Sequence, residues 1–428
     1  MKEIKFIDLF CGIGGIRTGL EKTLKDKEIK SKCMLSSDIK PAAIKTYEIN
    51  FGEKVFGDIN DLKTKDLADF DLLLGGFPCQ AFSSAGKRMG FEDTRGTLFF
   101  QIARILKDKN PRAFILENVE GLLSHDNGKT IEVITRTLSE LGYSVTYKVL
   151  NSCNFELAQS RKRIYIVGVK GQINLDAIFD FKKKYNVVIF KNIREFDLPI
   201  KKTKLNDILA KEYKNLSFLG GKSIKDKRGG QNNIHSWDIS LKGQISQSQK
   251  DLINLIVTKR RYKKWAIENG TVWFDGIPLS FEQIKTFIDY NDLLKDLELL
   301  VSLGYLKKDY PKDYVIINEK KEKIARKDLP LGYTLTTGKL SFEFNTILDD
   351  NSIVPTIVAT DASRLGVIEK DGLRKLSGLE LKALFGFSSD YQTSHLKESE
   401  LFDLFGNSVT TNVVQAITEN LIKIAFNN

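Results

Sequence analysis

A cysteine stands between proline and glutamine at Pro78-Cys79-Gln80, just after the small and apolar run Leu74-Gly75-Gly76-Phe77. A buried strand that stops at such a Gly/Pro-shaped loop holds the thiol at a ligand-facing edge. Free cysteines are more often inert core residues than nucleophiles, and the loop tilts this one towards chemistry. Further on, Ala113-Phe114-Ile115-Leu116 delivers Glu117-Asn118-Val119. A carboxyl at the C-terminal end of a central apolar strand is partly desolvated, which raises its pKa and suits a proton donor; a Glu that caps the next helix looks the same. Gln159-Ser160-Arg161-Lys162-Arg163 then enters another strand. Alternation puts Gln159, Arg161 and Arg163 on one face, where a guanidinium can orient an anion or a carboxylate; a salt-bridged sheet edge shares the pattern.

Upstream, Phe10-Cys11-Gly12-Ile13-Gly14-Gly15 follows an apolar run. Glycines there let the backbone turn sharply and approach a ligand at a helix N-terminus, or simply make a tight connection. Asp38 closes a second strand, where an acid accepts from two ribose hydroxyls, and Asp58, in Gly57-Asp58-Ile59, closes a third. Glycine, acid, acid at three strand ends describe a nucleoside pocket, although nicotinamide-dependent enzymes share the first two features and an isolated Asp also caps helices. Residues 81–97 are polar, punctuated by glycine and long for a strand-to-helix connection, which suggests a lid or mere surface decoration.

The elements that must position these groups are short. Strand-like runs cover Ile4–Phe10, Lys32–Ser36, Leu72–Leu74, Ala113–Glu117, Ser144–Leu150 and Arg163–Val169. Helical patterns lie between them at Gly15–Lys25, Pro41–Asn50, Thr97–Asp108 and Lys129–Leu141, the last closed by Gly142. This rhythm predicts an α/β fold with a doubly wound, mostly parallel sheet. After about 175 it gives way to polar, Lys-rich stretches with helical patterns at Ser246–Trp265 and Ser280–Leu303, and Val409–Phe426 reads as an amphipathic closing helix. The expected division is 1–175, a smaller domain over 176–400, and a returning segment at 401–428.

The chain has 428 residues, 42% of them hydrophobic, and a net charge of +11. Residues 181–330 carry 31 Lys and Arg against 19 Asp and Glu, while the remainder is nearly neutral. A basic block of this kind suits an anionic polymer, although a Lys-rich solvated surface is the duller account. Four cysteines with no close pair argue against a disulfide framework or a structural zinc site, and three scattered histidines offer no clustered metal ligands. No signal-peptide pattern or long apolar run is present, so the expected location is the cytoplasm, with no membrane partner.

Taken in order, the Gly-rich turn, the two acids, Pro-Cys-Gln, Glu-Asn-Val and Gln-x-Arg-x-Arg resemble the DNA (cytosine-5) methyltransferases, most closely those of bacterial restriction-modification systems. The resemblance covers 1–170 and 371–415, where Arg374-Lys375-Leu376-Ser377-Gly378-Leu379-Glu380 and Gly406-Asn407-Ser408-Val409 are similar to the family's ninth and tenth motifs. Cys11 stands where alanine is usual, Ala158 where proline is common, and Ser377-Gly378 where Thr-Pro is common; none removes a group that does chemistry.

The resemblance implies a Rossmann-like S-adenosylmethionine-dependent methyltransferase domain and a basic target-recognition domain. Cys79 would add to cytosine C6. Glu117 would bond ring N3 and the exocyclic amine, with Arg161 and Arg163 orienting the base and that carboxylate. S-adenosylmethionine would lie against Phe10, Gly12, Ile13, Gly14 and Gly15, with Asp38 on ribose, Asp58 on adenine, Ile39 and Ile59 flanking the base, and Pro78, Leu98, Asn407, Ser408 and Val409 completing the pocket; no metal is expected. Double-stranded DNA would be held by Gln80, Ser83, Ser84, Lys87, Arg88 and Arg95, and read by Arg228, Gln231 and Asn232 within Lys225–Asn233. Lys259-Arg260-Arg261-Tyr262-Lys263-Lys264 is a denser basic run that a solvated helix face explains equally well. A cognate restriction endonuclease and a monomeric state are the family's expectations. Three other classes compete: a tRNA cytosine methyltransferase, which leaves the basic insertion unexplained; a nicotinamide-dependent oxidoreductase, which leaves Pro-Cys-Gln and Glu-Asn-Val without roles; and a DNA-binding module without catalysis, against which Cys79 and Glu117 argue.

Overall fold

In a computed structural model, residues 3–78, 98–181, 186–226, 232–317, 320–336, 343–370 and 372–426 are described. The chain divides into two compact units. One holds Met1–Phe196, Asp349–Ser363 and Leu376–Asn428, and the other Asp197–Leu348 and Arg364–Lys375.

The first unit is built on six strands among the described residues: β1 (Glu3–Leu9), β2 (Lys30–Ser37), β3 (Leu72–Gly76), β4 (Ala113–Val119), β5 (Tyr143–Asn151) and β6 (Lys162–Lys170). Their order is β2-β1-β3-β4-β6-β5, with β6 antiparallel to both its neighbours and the other pairings parallel. Between them run α1 (Gly15–Asp26), α2 (Pro41–Phe51), α3 (Leu98–Lys109) and α4 (Lys129–Glu140). This is the doubly wound α/β sheet expected from the sequence, with antiparallel pairing at one end.

Both faces of the sheet are covered, which is why the central strands read as continuous apolar runs. Ile4, Phe6, Leu72, Leu74 and Ile115 join Leu20 and Leu24 of α1 and Val413, Ile417 and Leu421 of the closing helix Thr411–Ala425 in one core. Ile7, Leu9, Leu73, Phe114 and Leu116 join Ile102 and Leu106 of α3 and Ile134 and Leu138 of α4 in the other. Each fully buried Leu in β3 stabilises the fold by on the order of 2 kcal/mol. The closing helix lies so near α1 that a Cβ on Gly19 would fall 2.6 Å from the Thr411 carbonyl oxygen.

Two sequence expectations change locally. Asp58 does not end a strand: that region contributes one parallel bridge, Ser37 to Phe56, and Asp58 caps the short turn Ile59–Asp61 by accepting from Asn60 N. A short acid that bonds its own backbone competes with strand extension. Strand β6 starts at Lys162, so Gln159 and Arg161 precede it and strand alternation does not govern them.

The second unit has a core of Trp237, Leu252, Ile256, Trp265, Leu297 and Leu300, and another of Leu205, Leu209, Ile224, Phe344, Ile347 and Leu373. Its described residues include a five-stranded sheet of short strands and the hairpin Lys312–Ile317 with Lys320–Ala325. Both long helical patterns are broken. The first divides into Gln247–Lys259 and Lys263–Glu268, where the Trp265 indole N–H donates to the Lys259 carbonyl at 2.7 Å and satisfies the end of the preceding helix. The second divides into Phe281–Lys285 and Leu293–Ser302, each with its own N-terminal flank.

Candidate active site

A cavity of about 460 Å³ opens at the C-terminal ends of β1 to β4 in the first unit, the edge where parallel α/β sheets bind ligands. Phe10, Gly12, Ile13, Gly15, Asp38, Ile39, Asp58, Ile59, Pro78, Leu98, Glu117, Arg161, Arg163, Asn407, Ser408 and Val409 all line it. Residues far apart in sequence are thus gathered around one space.

The turn after β1 is shaped by left-handed backbone at Phe10, Gly12 and Gly14, with φ of 54°, 53° and 75°. Glycine adopts this freely, whereas Phe10 carries strain of about 1 kcal/mol that the surrounding packing must hold. Gly14 is not among the cavity-lining residues: a Cβ there would collide with the Phe51 ring at 2.4 Å, so its small size serves the packing of α2. Gly15 backs onto the returning segment, with a would-be Cβ 2.6 Å from the Val409 carbonyl oxygen. Asp38 ties the strand ends together, Oδ2 accepting from Gly12 N at 2.9 Å and Oδ1 from Lys40 N at 2.8 Å. Ile39 presents an apolar side chain that is 73% exposed at the rim.

Glu117 sits opposite Gly76 in the β3–β4 pairing, where the absent side chain leaves room for its carboxylate: a Cβ on Gly76 would lie 3.7 Å from Oε2. Across the antiparallel β4–β6 pair, Tyr165 faces Glu117 and Arg163 faces Val119. Arg163 is therefore the diagonal neighbour on the same face, and its Nε meets Glu117 Oε1 at 3.1 Å. Burial raises the pKa of Glu117 above the usual carboxylate range, and Arg163 and then Arg161 oppose the rise. Asn118 donates from Nδ2 to the Phe77 carbonyl at 2.9 Å, fixing the chain just before Pro78.

Arg161 is spent on backbone. Its Nη1 donates to the Ile357 carbonyl at 2.6 Å, and Nη2 to those of Gly406 and Ser408 at 3.1 and 2.8 Å. Gln159, fully buried, bonds the Leu384 carbonyl and Ile357 N. The ninth-motif segment is held by a reciprocal cap: Ser377 Oγ accepts from Glu380 N, and Glu380 accepts from Ser377 N and Glu195 N.

Three features escaped the sequence reading. Asp8 lines the cavity from β1, and burial pushes its carboxyl up to about 7 despite Arg17 nearby. The Tyr391 hydroxyl donates to the Ile13 carbonyl, bracing the Gly-rich turn. Lys40, another lining residue, pairs with Asp403. Asp8 immediately precedes the Leu9-Phe10 start of the turn and so carried a local signal; the partners of Tyr391 and Lys40 lie hundreds of residues away and carried none.

Cys79, Gln80, Ser83, Ser84, Lys87, Arg88 and Arg95 lie outside the described residues, as do Arg228 and Gln231. Pro78, the residue before Cys79, is exposed and lines the cavity. Asn232, in the second unit, is exposed, and its carbonyl accepts from Ser223 N. Among the described residues no group of three or more His, Cys, Asp or Glu is placed to hold a metal ion, and no helix is long and apolar enough to cross a membrane.

Comparison with known proteins follows the same lines. The family profile described as C-5 cytosine-specific DNA methylase matches residues 4–423. The chain is 47% identical to Type II methyltransferase M.NlaIV of Neisseria lactamica, over 99% of each chain. It is 45% identical to Type II methyltransferase M.NgoBV of Neisseria gonorrhoeae, again over 99% of each. Its fold is similar to the crystal structure of S. pombe Dnmt2 methyltransferase, with a TM-score of 0.53 and 16% identity over 98% of each chain.

Proposed function

The chain belongs to the C-5 cytosine-specific DNA methylases and is a DNA (cytosine-5-)-methyltransferase of the Type II restriction-modification kind; from that premise we propose that it acts on a cytosine flipped out of a specific duplex sequence, through a covalent bond between Cys79 and ring C6. The observation that carries this reading is the single cavity that collects the Gly-rich turn, Asp38, Asp58 and the Glu117–Arg163 pair, with Pro78 at its edge.

The cavity suits S-adenosylmethionine, which supplies an electrophilic methyl on a sulfonium sulfur. The N-terminus of α1 at Gly15 has no side-chain cap among the described residues, and its first-turn N–H groups suit a carboxylate. Asp38 keeps acceptor capacity beyond its two N–H donors for ribose hydroxyls. Asp58 takes the adenine amine, Ile39 and Ile59 flank the ring, and Phe10, Gly12, Ile13, Leu98, Asn407, Ser408 and Val409 complete the walls. Gly14 contributes through the shape of the turn.

Cytosine C5 is a weak nucleophile until a group adds at C6. The Cys79 thiolate forms the S–C6 bond, and the ring electrons move towards C5 and N3. Glu117, whose carboxyl burial holds above the usual range against Arg163 and Arg161, bonds N3 and the exocyclic amine and stabilises that electron-rich ring. C5 then takes the methyl group, a base removes the C5 proton, and the electron pair of that C–H bond expels the thiolate. Arg163 orients Glu117, and Arg161 acts as a positioning residue by holding the Gly406–Ser408 wall. Flipping the base costs about a few kcal/mol of stacking and pairing, which contacts from residues 80–97 are suited to offset. The basic second unit serves as the target-recognition domain, and methylation protects the host's DNA from a cognate endonuclease.

The test is a duplex carrying 5-fluorocytosine in the target site, incubated with enzyme and S-adenosylmethionine. Fluorine cannot leave as a proton does, so a complex that survives denaturation is expected, and Cys79→Ala is expected to bind DNA without forming it. Trapping undiminished in Cys79→Ala, or methyl label entering RNA and not DNA, overturns the proposal.

A further inference from the structure

The run Lys259-Arg260-Arg261-Tyr262-Lys263-Lys264 is not one continuous solvated helix face: Lys263 and Lys264 are exposed at the start of a helix, whereas Arg260 is buried in the turn before it. It turns between two helices of the second unit, and its cations are engaged. The ammonium groups of Lys259, Lys263 and Lys264 lie 5.0, 5.6 and 4.0 Å from the ring centroids of Tyr262, Phe274 and Trp265. Arg261 pairs with Asp275 at 2.8 Å. Arg260 is only 6% exposed; its Nη1 donates to Thr334 Oγ1 at 2.8 Å, and its buried Nε has no partner among the described residues.

Arg260 and Arg261 line a cavity of about 390 Å³ together with Lys307, Lys312 and Lys323. Asp275 and Asp309 are the carboxylates among its lining residues, and both are already occupied. Asp275 holds Arg261, and Asp309 holds Lys307 at 2.9 Å and Lys312 at 3.4 Å. Lys323 has no carboxylate partner among the described residues; its Nζ sits 3.3 Å from the centroid of the Trp273 ring. Burial and the adjacent Arg261 push the Arg260 guanidinium down, and burial and Lys312 do the same to Lys323. The lining carries more positive charge than its own acids neutralise.

We propose that this pocket binds a phosphate group, with Arg260 Nη2, which lies beside the lining residue Gly276, and Lys323 Nζ as donors. A guanidinium and an ammonium converging on one space suit a phosphate. A stacked base fits less well, because Lys323 already covers one face of Trp273. The phosphate can come from the DNA backbone or from a free phosphate ester, and one variant separates the sources. Lys323 is exposed on a hairpin strand, so Lys323→Gln leaves the core intact.

Duplex affinity of the full chain is measured from 50 to 200 mM salt. Losing one phosphate contact flattens the slope of log K against log salt by about 0.9, so the variant loses roughly 3.5-fold less affinity than the parent across that range. In parallel, inorganic phosphate is titrated while its ³¹P linewidth is followed. A flattened slope supports the DNA backbone as the source. Equal slopes, with phosphate broadened by the parent and not by Lys323→Gln, support a free phosphate ester. Equal slopes and equal linewidths overturn the proposal, whatever the enzyme's methyl-transfer activity.

Discussion

Asp8 offers a sharp test of how the cavity floor is built. It is 1% exposed at the end of β1, where Oδ2 accepts from the Tyr47 hydroxyl at 3.1 Å and Oδ1 has no partner among the described residues. Arg17, the nearest cation, is committed to Glu53 and Glu21. Burial therefore dominates and lifts the carboxyl from 3.8 to about 7. The folded chain keeps this proton where the unfolded chain has lost it, so stability falls as pH rises from about 4 to about 7. At about 1.36 kcal/mol per pH unit, the interval from pH 5 to pH 8 costs about 3 kcal/mol through this group alone. Asp8→Asn keeps the shape and the acceptor for Tyr47 but cannot ionise. Urea unfolding of parent and variant at pH 5 and pH 8 is expected to show their stability difference moving in the variant's favour by about 3 kcal/mol at the higher pH. A difference that stays the same at both pH values refutes the reasoning.

Gly19→Ala places a Cβ 2.6 Å from the Thr411 carbonyl oxygen and 2.7 Å from Val414 Cβ, so the closing helix must shift. The expected cost is about 1–3 kcal/mol, read as a lowered thermal midpoint, and an unchanged midpoint would show that this contact is loose. In Asp38→Asn one carboxylate oxygen becomes an NH₂ facing the N–H of Gly12 or Lys40. The ribose hydroxyls also lose a charged acceptor worth about 1.5–3 kcal/mol, so calorimetric affinity for S-adenosylhomocysteine is expected to fall roughly 10- to 100-fold. Affinity equal to the parent's would remove Asp38 from the pocket.

The sheet and most of the cavity were legible because their signals are local. Leu72, Leu73 and Leu74 are buried on both faces of the sheet, so the run is apolar without alternation. Gly142, at φ 82°, ends α4 where a left-handed residue was expected. Glu117 follows four apolar residues of a central strand, and its burial follows from that place. What could not be read depended on distant partners. Alternation failed at Gln159 because that residue bridges Val354 and its side chain reaches Leu384. The basic run at 259–264 looked like one helix with its neighbours because no local pattern announces that Arg260 turns inward to Thr334.

The same contrast explains how two halves of the cavity stay in register. Arg161 and Arg163 are separated by one residue at the entry to β6, and they do opposite things. Arg163 reaches along the sheet to Glu117, a neighbour fixed by strand pairing. Arg161 reaches away to carbonyls 196, 245 and 247 residues on. A guanidinium this deeply buried loses its hydration, and burial together with Arg163 pushes its pKa down. The three carbonyl dipoles replace much of that lost water while tying the 357 and 406–408 segments to β6. The wall proposed for the methyl donor and the carboxylate proposed for the cytosine are therefore positioned from two residues of a single backbone with only Lys162 between them. Lysine at 161 would keep the charge yet could not span three carbonyls in a plane, so the wall would loosen while the Glu117–Arg163 pair remained.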